Sequence, residues 1–143
     1  MSDTRYFAYG SNMNEDQFKG RCPSSHMECR AVLDNYRWII NERGVATVVK
    51  HEGASVHGVL YAITESDEKE LDRWEGVAGG CYNKDWLLVR TDLGDTVEAL
   101  VYVDPRTNPG RPKKGYLEKV LAGARLHDLP EAYLRELERW KTS

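Results

Sequence analysis

Tyr6-Phe7-Ala8-Tyr9-Gly10-Ser11-Asn12 is an aromatic and apolar run that breaks into Gly-Ser-Asn, which reads as a short strand ending in a tight turn. Gly10 has no Cβ, so a ligand can approach the main chain closely there. The N–H groups at a strand end have no ladder partner, and such a turn can hold an anion. Ser11 and Asn12 add short polar side chains at the same place. The same letters also fit a strand followed by a plain Asx-type turn, so the rest of the chain has to separate a site from a corner.

Beyond this turn, Asn14 to Gly20 is polar and predicts a short helix or turn that covers the core without building it. Met27 to Ile40 alternates loosely and predicts one long bent strand or two strands. Val45 to Val49 and Val56 to Ile63 are β-branched runs of strand length, with Gly53 between them marking a hairpin. Gly58 within the second run points to a bulge or a close backbone approach. Tyr82 to Thr91 pairs with Thr96 to Asp104 across Asp92-Leu93-Gly94-Asp95. Leu117, Val120, Leu121 and Ala124 fall on one helical face; Leu129, Tyr133, Leu137 and Trp140 fall on another, with Asp128 and Glu131 as its capping box. About six strands early and helices mostly late give an α+β fold, a compact mixed sheet curled into a small barrel with flanking helices, two of them C-terminal.

The 143 residues, 41 % hydrophobic and 30 % charged, suit one domain spanning 1–143. Net charge is −3, but the stretch from Pro105 to Ser143 carries nine Lys/Arg against five Asp/Glu. Its Arg106, Arg111, Lys113 and Lys114 lie in a Pro/Gly-rich loop without interleaved aromatics, which reads as a solvated loop and not a nucleic-acid surface. No apolar run is long enough to cross a bilayer and residues 1–15 lack a signal-peptide core, so a cytoplasmic protein is expected. Cys22, Cys29 and Cys81 show neither C-x-x-C nor Cys/His metal spacing and are read as reduced thiols; neither a metal nor a cofactor is expected.

One residue breaks a local rule. Ser66 as N-cap, acidic Asp67 and Glu68, and the Leu71/Trp74 spacing predict a helix that stops at Gly76. Glu75 then projects from the buried face at the negative end of the helix dipole, and both placements disfavour its charged form. A helix-end Glu can simply reach past an apolar stripe to water; the alternative is a tuned general base.

Familiar constellations are absent: Ser11 is not in a G-x-S-x-G elbow, there is no Walker or G-x-G-x-x-G loop, and His26, His51, His57 and His127 lack H-x-x-x-H spacing. What the chain does carry, in order, is Tyr6 to Asn12, Gly44-Val45-Ala46-Thr47, His57-Gly58-Val59, Leu71-Asp72-Arg73-Trp74-Glu75-Gly76-Val77 through Gly80-Cys81-Tyr82, and Ala122-Gly123-Ala124 with Leu129-Pro130. Together these blocks resemble the γ-glutamylcyclotransferase family over nearly the full length.

The resemblance implies a small mixed barrel with flanking helices and release of 5-oxoproline from a γ-glutamyl amine or γ-glutamyl amino acid. It implies that Tyr6, Phe7, Ala8, Tyr9, Gly10, Ser11 and Asn12 form the loop holding the glutamyl moiety, that Glu75 is the general acid/base, and that Tyr82 and Tyr116 border the pocket. Tyr102 is read as a core strand tyrosine. Two departures concern the pocket rim: Arg43 stands where the family often has Gly, and the segment between Asn12 and Gly44 is short. Glutathione-specific relatives usually read Y-G-S-L, so Asn12 argues against glutathione as the first substrate. The leaving amine stays open among an amino acid, a polyamine, an isopeptide lysine and a secondary metabolite, and the sequence sets no oligomeric state. Two rivals remain: an amide hydrolase using Ser11 as nucleophile, and a binding module of the same fold without catalysis.

Overall fold

The computed structural model describes residues 4–141. Five strands, β1 (Thr4–Ala8), β2 (His26–Ile40), β3 (Ala46–Ile63), β4 (Asn83–Thr91) and β5 (Thr96–Val103), form a closed barrel in the order β1-β3-β2-β4-β5. Every neighbouring pair is antiparallel except β1 and β5, which close the barrel in parallel at Tyr6↔Leu100. Closure removes the exposed edges that an open sheet of this size would present. The mixed sheet, the barrel and the late helices are as expected; the strands number five where about six were expected.

The missing strand has a definite cause. Val45–Val49 and Val56–Ile63 do not form a hairpin at Gly53 but belong to one eighteen-residue strand, β3, because both halves pair with β2. Between the pairs Asp34↔Ser55 and Tyr36↔Lys50 the ladder slips, and the extra β3 residues are accommodated as a bulge. Gly53 adopts φ +87° there, opposite Asn35 at φ +65°, whose Oδ1 accepts the Gly53 N–H at 3.2 Å. Gly58 is a place of close approach, as expected: a Cβ on it would stand 2.3 Å from the Ala8 carbonyl oxygen.

Four α-helices flank the barrel: α1 (Glu15–Arg21), α2 (Glu65–Trp74), α3 (Tyr116–Leu126) and α4 (Glu131–Glu138). α1 does more than cover: its Phe18 is fully buried, with its ring 4.1 Å from that of Tyr61. α2 starts two residues earlier than expected, since Thr64 and not Ser66 is the N-cap and forms a capping box with Asp67. Leu71 is fully buried but Trp74 is 58 % exposed, so the Leu71/Trp74 pair is not a buried stripe. Asp128 does not cap α4; it sits at φ +53° with its N–H on the Arg125 carbonyl, finishing α3, and α4 begins after Pro130.

α3 is pressed against the turn that follows β1. A Cβ on Gly123 would meet the Met13 backbone at 2.5 Å, so this helix fixes the position of the 3₁₀ turn Ser11–Met13. The Pro/Gly-rich loop before α3 is also tied down. Gly110 N donates to the Ile40 carbonyl (2.9 Å) and Lys113 N to that of Gly44 (3.0 Å), while fully buried Asp104 accepts from Arg43 (2.7 Å) and Arg106 (2.9 Å). The expectation of a solvated loop holds for the exposed side chains of Arg111, Lys113 and Lys114, but not for Arg106, paired with Asp104, nor for the backbone.

Candidate active site

β1 delivers Tyr6 and, just after the strand, Tyr9; the 3₁₀ turn delivers Ser11 and Asn12, and the end of α2 delivers Glu75, all to one cleft of about 370 Å³ beside the barrel. Tyr82 leads into β4 and Tyr116 opens α3; both line the same cleft. Two residues of the expected loop do not reach it. Phe7 lies on the opposite face of β1 from Tyr6 and is buried against Gly58, and Ala8 ends in a methyl with no exposure.

Glu75 is the C-cap of α2, and Gly76 follows at φ +63°, a conformation glycine adopts without strain. The chain thus turns away just after the carboxylate and leaves it inside the cleft. Partial enclosure by protein raises its pKa to about 7, opposed by the positive charges of Arg21 and Arg43. Asn12 contacts it directly, with Nδ2 donating to Glu75 Oε1 at 3.3 Å and to Tyr6 Oη at 2.9 Å. The other end of the Asn12 amide accepts from Arg21 Nη1 (2.9 Å) and Gln17 Nε2 (3.2 Å). Buried Asn12 is therefore fixed from both sides, and Arg21 in turn lies 4.4 Å over the Trp74 ring.

The turn's backbone is not empty. Tyr116 Oη accepts the Ala46 N–H at 3.1 Å and stands 3.0 Å from where a Gly10 Cβ would be. Burial pushes its phenol up to about 12, with the Ala46 and Ser11 amides acting the other way. A side chain at Gly10 would crowd the Tyr116 hydroxyl as well as limit access to the main chain. Tyr82 Oη donates to the Ala46 carbonyl at 3.0 Å, and Tyr9 Oη to the Tyr102 carbonyl. Burial holds the Tyr6, Tyr9 and Tyr82 phenols well above their ordinary range, so these groups are neutral donors and not bases.

Tyr102 is both things at once: a core strand residue, 2 % exposed, and a wall of the cleft. Its Oη donates to Asp72 Oδ1 at 2.7 Å, which ties α2 to β5 one turn before Glu75. Several lining residues were not foreseen, among them Gln17, Arg21, Lys113, Lys114 and Lys119. Gln17 and Arg21 had a readable signal, since they stand four apart on the helix that follows the turn. Lys113 and Lys114 had none, because loop closure over Gly44 brings them in. Among the described residues no cluster of His, Cys, Asp and Glu is arranged to hold a metal, and no helix is long and apolar enough to cross a membrane. The three cysteines are unpaired.

Residues 55–137 match the model of the AIG2-like family. The chain is 30 % identical to the γ-glutamylcyclotransferase of Mus musculus, over 93 % of this chain and 76 % of that protein. It is 28 % identical to the γ-glutamylcyclotransferase of Homo sapiens over the same shares. A solved γ-glutamyl cyclotransferase superposes with a TM-score of 0.87 at 28 % identity, covering 95 % of this chain and 86 % of the other. The chain belongs to the γ-glutamylcyclotransferase family, of the AIG2-like kind.

Proposed function

We propose that this protein is a γ-glutamylcyclotransferase acting on γ-glutamyl amines or γ-glutamyl amino acids, with Glu75 as its acid/base. The observation that carries the reading is the half-enclosed Glu75 carboxylate, raised to about 7 in a cleft shared with the Gly10–Asn12 turn. A group with that pKa accepts and returns a proton at neutral pH with little bias either way.

Ionised Glu75 takes a proton from the α-ammonium of the glutamyl group. The freed amine attacks its own γ-carbonyl and a C–N bond closes the five-membered ring. Protonated Glu75 returns its proton to the leaving nitrogen as the bond to that nitrogen breaks, and the ring nitrogen gives up its second proton to the departing amine, which leaves as an ammonium ion. The products are 5-oxoproline and the free amine. Because nucleophile and electrophile belong to one molecule, holding the substrate folded supplies much of the acceleration. The Tyr6 and Tyr116 hydroxyls, which accept hydrogen bonds and keep their own protons free, and the turn's N–H groups are the donors available to the α-carboxylate and to the developing oxyanion. The reaction consumes neither water nor a cofactor, and we place it in the cytoplasm, where three unpaired thiols are at home.

The hydrolase alternative is weakened by the surroundings of Ser11. Its Oγ accepts from Gln17 Nε2 at 3.1 Å, and no histidine lines the cleft to serve as its base. Incubation with a panel of γ-glutamyl amines, read by mass spectrometry, tests the proposal. The expected product is 5-oxoproline, 18 Da below glutamate; release of free glutamate in its place would establish hydrolysis.

A further inference from the structure

Resting on the cyclotransferase reading, we propose that the preferred leaving amine is polyanionic, an acidic γ-glutamyl peptide whose leaving part carries two or more carboxylates. The chain as a whole has a net charge of −3, yet five cations line the cleft, Arg21, Arg43, Lys113, Lys114 and Lys119, against one carboxylate, Glu75. Arg43 is neutralised by Asp104 at 2.7 Å. Among the described residues no carboxylate lies within ion-pair distance of Arg21, Lys113, Lys114 or Lys119. Elsewhere on the surface Arg30, Arg90 and Arg125 each find an acid while Lys19, Arg37 and Lys50 find none among the described residues, so what sets the cleft apart is that its cations without an acid are gathered around one opening.

The charges of the substrate then assign themselves. A γ-glutamyl group brings one ammonium, matched by Glu75, and one α-carboxylate, which satisfies at most one of the four unpaired cations together with the turn. The lysines that remain are brought to the cleft by the strapped loop and the first turn of α3, on either side of Tyr116. Like charges gathered at one mouth repel one another, and the protein supplies nothing to offset them. A leaving group with two or more carboxylates does, and the field of the cleft draws it in. The same field repels a polyamine, which keeps a distal ammonium after one nitrogen is acylated, and so disfavours one of the amines that the sequence left open.

The test compares kcat/KM for γ-glutamyl-glutamate and γ-glutamyl-aspartyl-glutamate with γ-glutamyl-alanine and γ-glutamyl-putrescine, each at low salt and at roughly 0.5 M NaCl. The acidic substrates are expected to lead the alanine compound by about tenfold and the putrescine compound by more. Salt should erase most of the difference. An exposed ion pair changes affinity by about 1.5- to 5-fold, so Lys113→Gln, Lys114→Gln and Lys119→Gln should each lower the acidic-to-putrescine ratio by that much. The triple Glu variant should invert the ratio. The lysines are exposed, so the variants should melt like wild type. Turnover of all four compounds at equal kcat/KM, or a ratio unmoved by the triple variant, overturns this inference and leaves the cyclotransferase reading intact. Absence of 5-oxoproline from every compound overturns both.

Discussion

Two hollows of this protein make opposite arguments. The larger, about 790 Å³, runs between α4 and the bulged arm of β2 and β3, and is lined by Trp38, His57, Tyr133 and Trp140. The smaller, about 370 Å³, holds Glu75. Size and apolar lining favour the first as a ligand site. Chemistry favours the second, because its titrating group is shifted toward neutrality and is surrounded by neutral donors, whereas burial lowers the pKa of His57 and keeps it uncharged. On the proposed reading, the reactive position of this fold lies where secondary structures end, not where helix and sheet leave the most room.

The most direct way to break the comparison is to change one group in each hollow. Glu75→Gln keeps size and hydrogen-bonding shape but cannot carry the proton, and kcat should fall by about 10²- to 10⁴-fold. His57→Gln should leave kcat within about threefold. Steady-state 5-oxoproline formation by both variants, with thermal melts to establish folding, checks the pair; a larger loss from His57→Gln would reverse the assignment of the two hollows.

A pH profile sharpens the contrast. With Glu75 titrating at about 7, kcat should fall roughly tenfold for each unit below that pH, in step with loss of the ionised base. The effect on stability has the opposite sign. Between about 4.5 and about 7 the folded protein holds a proton that the unfolded chain has released, so wild type loses stability as pH rises through this window. Relative to wild type, Glu75→Gln should therefore be more stable at pH 8 than at pH 5, by about 1–2 kcal/mol, since water at the cleft mouth moderates the burial. Urea denaturation at both pH values reads the difference.

Smaller effects follow from residues at the margins of each hollow. Ser11→Ala removes one acceptor from Gln17, which keeps its bond to Asn12, so kcat/KM should drop only about three- to tenfold. Abolished turnover in a folded Ser11→Ala protein would instead favour nucleophilic serine. In the larger groove, the Tyr133 hydroxyl is buried with no hydrogen-bond partner. Tyr133→Phe should leave turnover unchanged and alter stability by no more than about 1 kcal/mol, in the stabilising direction, as a melt would show. EDTA is expected to leave the rate where it was.

The local pieces of the fold were legible because local forces write them. Period-two apolar runs marked the β4–β5 hairpin, period-3.6 runs marked α3 and α4, and a lone carboxylate at a helix end marked Glu75. Where a pattern was ambiguous, neighbours distant in sequence decided it. Gly53 reads as a hairpin until β2 pairs along both halves of β3, and Asp128 reads as a helix start until it finishes α3. Trp74 reads as core until the barrel leaves it at the cleft mouth, stacked with Arg21.

The sequence by itself determined the α+β class, the turn at Gly10–Asn12, the misplaced Glu75 and the absence of metal-ligand spacing, since each depends on residues close together in the chain. Only the tertiary structure decided that Asn12 bridges Glu75 to Arg21, that the Tyr116 hydroxyl packs against Gly10 while accepting the Ala46 N–H, and that Lys113, Lys114 and Lys119 share the cleft with the one carboxylate. The physical reason is that a pKa, a hydrogen bond and an electric field depend on distance in space. Barrel closure and the strapped loop bring these groups within reach of one another across long stretches of sequence, 70 residues between Ala46 and Tyr116 and 93 between Tyr9 and Tyr102.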